Sequence, residues 1–242
     1  MLGEMEIPLF PLPNLVLFPN IVVPLHIFEE RYKLMINGCI DRGEAFGLVL
    51  LRSGAEEETE ESIHRVGVTA RIVEVERLDQ GRLNILCEGE SRFRIYRFTQ
   101  HTPFWKGAVD FFEEDEHQST DTLYEQVAEL YRSVAELSAK LSGSEQAEVI
   151  LPESSTDLSY MVSYVLDIDS EEKQKLLEMK STAERLRMLV AHLTDNISKT
   201  ILNEFVLSYS TSHFRGTNLG SWQRPVGAAS TATRMACSGM RT

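Results

Sequence analysis

The pattern of apolar and polar positions changes period twice along the chain. From Ile7 to Val23, aliphatic and aromatic residues are interrupted by prolines at 8, 11, 13 and 19, with a fifth at 24. Proline fixes φ and has no N–H to give a ladder, so these five do not all fit inside central strands. The pattern predicts short strands at Glu6–Phe10, Leu15–Phe18 and Ile21–Val23, each broken by a proline at a bend or a sheet edge. Beyond Pro24 the apolar positions Phe28, Tyr32, Met35, Ile36 and Cys39 recur every three or four residues. That spacing predicts a helix with one apolar face, its end bracketed by Gly38 and Gly43.

Strand signals follow. Ala45–Arg52 suits a buried strand. Alternation at Val66, Val68, Ala70 and Ile72, and again at Leu83, Ile85 and Cys87, predicts half-buried strands joined by a hairpin through Asp79-Gln80-Gly81. Arg92–Gln100 and Trp105–Phe112 add two more. A succession of strands with tight turns predicts an antiparallel sheet curled on itself into a pseudo-barrel.

Past Glu113–His117 the period becomes helical. Leu123, Val127, Leu130, Val134, Leu137 and Leu141 form a stripe opened by the capping pair Thr122 and Glu125 and ended by Gly143. It is too short for a coiled-coil seam and reads as internal packing. A short helix through Leu158–Leu166, another over Glu171–Met179 capped by Ser170, and a long one opened by Ser181 and Glu184 complete the set. The last carries Leu186, Leu189, Val190, Leu193, Ile197 and Ile201 on one face. From Ser208 the period is lost in Ser, Thr, Gly, Ala and Arg. The expected architecture is therefore α+β. A β-rich lobe with one helix covers 1–118, a helical bundle covers 119–207, and a disordered tail covers 208–242.

Charge narrows the partners. The formal charge of −13 is uneven, because no Asp or Glu follows Glu204 while four arginines do. The first 204 residues hold 20 basic against 37 acidic side chains, a net −17. A body that acidic repels phosphate backbones and anionic lipid, so nucleic acid and membrane are poor partners. No apolar run approaches the roughly 18–20 residues of a membrane span. The start MLGEMEIP lacks the basic and apolar regions of a secretory signal, and three scattered cysteines fit a reducing compartment, so a cytoplasmic location is expected.

Three segments carry a family resemblance: PLFPL at 8–12, VLFP at 16–19 and LHIFEERY at 25–32. With Phe46-Gly47, Val66–Ile72, Asp79–Arg82, Gly89–Ile95, Glu171–Leu177 and Glu184–Leu186, the chain resembles the N-terminal domain of the Lon proteases over residues 6 to 205. Asn20 stands where a glycine is common and Glu30 where proline is common. Asn tolerates positive φ and proline at a first helical turn is replaceable, so both departures are compatible with the fold. The resemblance implies a substrate-recognition module, without enzymatic activity, that engages unfolded or exposed segments of other proteins. The ATPase and protease domains of that family leave no trace: no GxxxxGK[ST] loop is present, and only some 35 residues follow the helical half.

Candidate chemistry is otherwise thin. Cys39 and Cys87 read as small buried hydrophobes. The six histidines show no HxH or HExxH spacing, so no metal or cofactor is expected. His26 reads as a cap or buried hydrogen bond tying helix to sheet. Arg92 and Arg94 share a strand face with Tyr96 and call for a carboxylate from the first helix, with Glu29 as the candidate and Arg31 beside it. A structural ion pair is the favoured reading, and a clamp for a peptide carboxylate is the sharper one. The acidic loop 54–62 reads as a solvated connection with too little apolar content to pack. The prolines and apolar residues before Val23 exceed what one sheet edge needs. That surplus suggests that Phe10, Leu12, Leu15, Leu17 and Phe18, with side chains from the adjoining helix that opens at Phe28, Arg31 and Tyr32, line a groove for apolar peptides. Two alternatives stand: an adaptor docking one folded partner, and a small hydrolase with an unrecognised site. A peptide binder should show an open groove between the two halves, an adaptor a flat patch, and a hydrolase an enclosed pocket with a perturbed titratable pair.

Overall fold

The computed structural model describes residues 5–55, 57–112, 114–115, 119–142 and 149–213, with side chains through Lys199. Six strands and five helices make an α+β fold: β1 (Met5–Leu12), β2 (Val22–Ile27), α1 (Glu30–Arg42), β3 (Phe46–Leu51), β4 (Ile63–Arg77), β5 (Leu83–Gln100), β6 (Trp105–Phe111), α2 (Asp121–Ser142), α3 (Ser155–Val165), α4 (Ser170–Glu178) and α5 (Thr182–His213). The sheet order is β2-β5-β4-β3-β1-β6, and β5 also pairs with β6. That extra pairing closes β5, β4, β3, β1 and β6 into a ring and leaves β2 as an edge strand. The sheet is mixed rather than antiparallel, because β1 runs parallel to β3. A parallel pair needs a crossover, and the segment carrying β2 and α1 provides it.

The prolines are accommodated by stagger. β1 pairs with β6 through Met5–Leu9 and with β3 through Leu9–Leu12, so Leu9 alone has ladder partners on both sides. Pro8 and Pro11 each stand where one edge of the strand is open, and neither removes a hydrogen bond from a doubly paired position. Pro24 lies on the edge strand β2. Leu15–Phe18 is not a strand: the chain turns through Asn14 and Asn20, both at φ 61°, and drops Leu17 and Phe18 into the core between them. Asn is among the few residues that tolerate that backbone.

The two strands expected at Leu83–Cys87 and Arg92–Gln100 are one, β5. Its Gly89 exchanges hydrogen bonds with Asn20 and Ile21 at 2.8 and 2.9 Å. A Cβ there would run into the Phe18 carbonyl oxygen, so a glycine is required where the two segments pass. The hairpin at Asp79–Gly81 forms with Gln80 and Gly81 at positive φ. Helix α1 starts two residues later than its apolar spacing suggests, so Phe28 lies outside it and is 61% exposed, while Tyr32, Met35, Ile36 and Cys39 are buried. Gly43 caps its end at φ 64°. In α4 the cap is Asp169, which accepts from the Glu172 N–H at 2.8 Å, and not Ser170.

One apolar cluster runs from Phe10, Phe18 and Phe46 through Val127 and Leu158 to Leu186, Leu189 and Leu193, so the strands and helices α2–α5 share a core. A smaller cluster around Phe93, Ile95, Trp105 and Val109 fills the rest of the barrel. The molecule divides into one compact unit through Thr200 and a second from Ile201. In the second, α5 continues as helix to His213, six residues into the stretch read as a tail. Gly143 and residues 214–242 lie outside the described residues. Among the described residues no helix is long and apolar enough to cross a membrane.

Charge as well as apolar packing fastens helices to sheet. Arg92 on β5 and Arg185 on α5 are 3% and 0% exposed, and both point at Glu114. Arg92 Nη2 donates to Oε1 at 2.6 Å, and Arg185 Nη2 donates to Oε2 at 3.0 Å. The Tyr160 and Thr182 hydroxyls donate to the same carboxylate. The remaining guanidinium donors reach the carbonyls of Leu177 and Met179 and the Ser159 hydroxyl. Burial pushes the Arg92 pKa down, and Tyr160 and Glu114 work against that. Removing the one carboxylate leaves two buried cations without a counter-charge. Glu114→Ala should cost about 3–5 kcal/mol, read from urea unfolding, and a loss below about 1 kcal/mol contradicts the assignment.

Candidate functional site

The residues expected to line a peptide groove divide by exposure. Phe10, Leu17 and Phe18 are 5%, 1% and 0% exposed and belong to the main core, with Phe10 against Tyr32 and Phe18 against Tyr160. Leu12 and Leu15 are half-buried against the same cluster. Covering helices consume the apolar surplus that the sequence displays here, so this segment supports the fold and offers little surface to a ligand.

The charged candidates separate as well. Glu29 pairs with Arg31, its neighbour but one, at 2.9 Å. Arg92 takes Glu114 instead of Glu29, and Arg94 lies exposed with its guanidinium 6.0 Å from the Phe112 ring. His26 is exposed. It ties β2 to β5 rather than helix to sheet, its Nδ1 donating to Asn84 Oδ1 at 2.7 Å. Cys39 and Cys87 are buried, and burial pushes their thiols up to about 11 and about 12, which removes them as nucleophiles at neutral pH.

Sequence reasoning missed two features. The acidic loop is not wholly solvated, because Glu58 turns inward onto Arg31, Tyr32 and Trp105. The buried Trp105 was the available signal, since an indole N–H taken out of water needs an acceptor. The second feature is an open groove of about 430 Å³ on the outer face of β2, β5 and β4, lined by Pro24, Leu25, His26, Glu74, Glu76, Asn84, Ile85 and Leu86. Each strand contributes by alternation: Val22, Pro24 and His26 face outward on β2 while Val23, Leu25 and Ile27 face the core. The polar edge is organised as a relay, in which His26 donates to Asn84 and Asn84 Nδ2 donates to Glu76 Oε2 at 2.7 Å. Glu74 meets no cation among the described residues. Exposed Val22 (50%) and Phe28 extend the apolar surface, and Phe28 stacks on His26 at 5.9 Å. The groove holds no Ser, Thr or Cys that a base could activate.

A second concavity of about 530 Å³ lies among α2, α3 and α5, with Tyr131, Val134, Leu137 and Leu141 along α2. It lies where α2 gives way to residues outside the described set.

A closed mixed barrel with an edge strand, one crossover helix and a helical cover is an arrangement with known counterparts. The Lon N-terminal domain protein from Xanthomonas campestris superposes with a TM-score of 0.57 at 24% identity, over 77% of this chain and 98% of that one. The N-terminal domain of a Mycobacterium avium complex Lon protease gives 0.58 at 22% identity, over 79% and 99%. At these identities the likeness is one of fold. The sequence makes the assignment: residues 6–195 match the ATP-dependent protease La (LON) substrate-binding domain, and the chain belongs to that family. It is 29% identical to Lon protease 2 of Herpetosiphon aurantiacus over 196 residues, 80% of this chain and 24% of that protein. It is 24% identical to the Lon protease of Flavobacterium johnsoniae over 208 residues, 84% and 26% of the respective lengths. The chain thus spans about a quarter of the length of the curated relatives it matches.

If residues 10–18 are core and not groove, truncating one of them changes stability alone. Phe18→Ala should lower unfolding stability by about 3–5 kcal/mol. In the fraction still folded, measured calorimetrically at low temperature, its affinity for client peptides should match the parent protein. A folded variant with weaker binding contradicts the placement.

Proposed function

We propose that this protein is a non-enzymatic protein-binding module that holds exposed apolar segments of client proteins in the groove across β2, β5 and β4. The observation that carries the reading is the composition of that groove. Apolar surface from Pro24 and Leu86 lies against an acidic edge of Glu74 and Glu76, with no Lys or Arg among its lining residues. Membership of a substrate-binding family supports the general role.

Three paired strands make the groove rigid, so a ligand does not bear the cost of ordering it. An extended segment fits such a face, laying alternate side chains onto the apolar floor. Burying one Leu or Phe there contributes roughly 1.5–3 kcal/mol, so two or three together give weak, reversible capture. The acidic edge, within a body of net −17, favours clients whose apolar residues are flanked by Lys or Arg. That preference is electrostatic and fades as salt screens it.

A peptide array read at low and high salt tests this. Peptides with Leu or Phe flanked by basic residues should bind best, and their advantage should shrink by about an order of magnitude between roughly 0.02 and 0.5 M salt. Glu74→Lys combined with Glu76→Lys should remove the preference for basic flanks, and Leu86→Asp should weaken all apolar peptides, with folding checked by circular dichroism. Folded variants that bind like the parent protein place the groove elsewhere.

A further inference from the structure

The contacts around Glu58 form a carboxylate receptor. Arg31 grips it with both ends of its guanidinium, Nη1 donating to Oε2 at 2.7 Å and Nη2 to Oε1 at 2.6 Å. Trp105 Nε1 donates to Oε2 at 3.1 Å, and the Tyr32 hydroxyl lies 3.2 and 3.3 Å from the two oxygens. These donors stand on fixed elements, the first turn of α1 and the first residue of β6. Tyr32 and Trp105 are themselves only 2% and 6% exposed. Two residues on, Glu60 meets a second cationic edge, 3.0 Å from His101 Nε2 and 3.6 Å from Arg65. Aromatic rings back both places: His101 packs on Trp105 with ring centres 4.6 Å apart, and Arg65 lies over Phe98.

The loop that supplies these carboxylates is held differently from the pocket that receives them. Between Arg52 and Ser62 the sequence is SGAEEETEE, with no apolar side chain larger than Ala55. Its base is closed by the Arg52 N–H to the Ser62 carbonyl at 2.8 Å and by Arg52 Nε to the Glu61 carbonyl at 2.9 Å. The tip is therefore retained by charge and hydrogen bonds alone, and releasing it uncovers no apolar core from the loop side. The pocket cannot be left empty so easily. Without a carboxylate, the Tyr32 hydroxyl and the Trp105 N–H become buried donors with no acceptor. A receptor that must be filled, with an occupant whose loop is held by polar contacts only, is suited to exchange.

We propose that Arg31, Tyr32 and Trp105 form a binding site for a protein carboxylate, either the C-terminus of a polypeptide or an Asp or Glu side chain, and that Glu58 is its resident and displaceable ligand. The site shares no lining residue with the groove across β2, β5 and β4 and stands whether or not that groove binds clients. Tethering gives Glu58 an effective concentration in the millimolar range, so a free carboxylate competes poorly and the resident sets a threshold. A client held elsewhere on the surface competes on equal terms and docks its carboxylate between α1 and β6.

The test uses the whole 242-residue chain with Trp222→Phe, which leaves Trp105 as its one tryptophan and its emission as the signal. The ligands are acetylated Gly-Ser octapeptides in three forms: a free C-terminal carboxylate, a C-terminal amide, and an amide with one internal Glu. Lacking apolar and basic residues, none is a groove ligand. In the Glu58→Ala background at least one carboxylate peptide should bind about tenfold or more tighter than to the protein with Glu58, the plain amide should not bind, and adding Arg31→Leu should abolish the effect. The better of the two carboxylate peptides identifies the source. Should Glu58→Ala fail to fold, the protein retaining Glu58 decides: millimolar carboxylate peptide should accelerate cleavage at Glu57–Glu61 by a glutamate-specific protease, and the amide should not. A folded Glu58→Ala variant indifferent to the carboxylate overturns the proposal, as does an unchanged cleavage rate.

Discussion

Two buried guanidiniums that share one carboxylate fix how the helices sit on the barrel. Arg92 rises from β5 and Arg185 from α5, and each would be prohibitively unstable in that interior alone. Glu114, on the segment leaving β6, is the counter-charge both share, while the carbonyls of Leu177 and Met179 take the spare donors. Apolar packing around Leu158, Leu186 and Leu189 tolerates sliding, but a fork of guanidinium hydrogen bonds has one geometry. The barrel–helix register is therefore set at this point. The nearby contact of His64 with Glu171 on α4 adds a second fastening. Glu171 lies below the ordinary carboxylate range, chiefly because it accepts the Ser53 backbone N–H.

With the helices held there, one face of the sheet is consumed and the other remains free. The covered side absorbs Phe10, Leu17 and Phe18. The uncovered side presents the alternate residues of β2, β4 and β5, where apolar and acidic groups mix.

Much of the fold was legible in the sequence because it rests on local rules. The 3–4 spacing of Tyr32, Met35, Ile36 and Cys39 gave α1, the Asp-Gln-Gly turn gave the β4–β5 hairpin, and Asn20 took the positive φ its position needs. The segments that mark the family resemblance lie within the matched residues 6–195. What the sequence could not show depends on register and distance. Pro8 and Pro11 forbid a doubly paired strand, yet the stagger that admits them appears only once β3 and β6 are placed. Arg92 plainly needed a carboxylate, but Glu29 and Glu114 are equally acidic on paper, and the choice between them is made by the path of β6. The acidic loop illustrates the same limit: Trp105 calls for an acceptor, but a run of glutamates broken only by Thr59 does not say which of them turns inward to meet it.

The proposed binding surface for clients is the outer face of β2, β5 and β4. Hydrogen–deuterium exchange of the whole chain, with and without a saturating apolar peptide flanked by lysines, tests it directly. Added protection is expected at Val22–Phe28, at Glu74–Glu76 and at Asn84–Leu86, with residues 10–18 unchanged. Protection confined to residues 10–18 or to the α2–α5 concavity, with β2 unaffected, would contradict it.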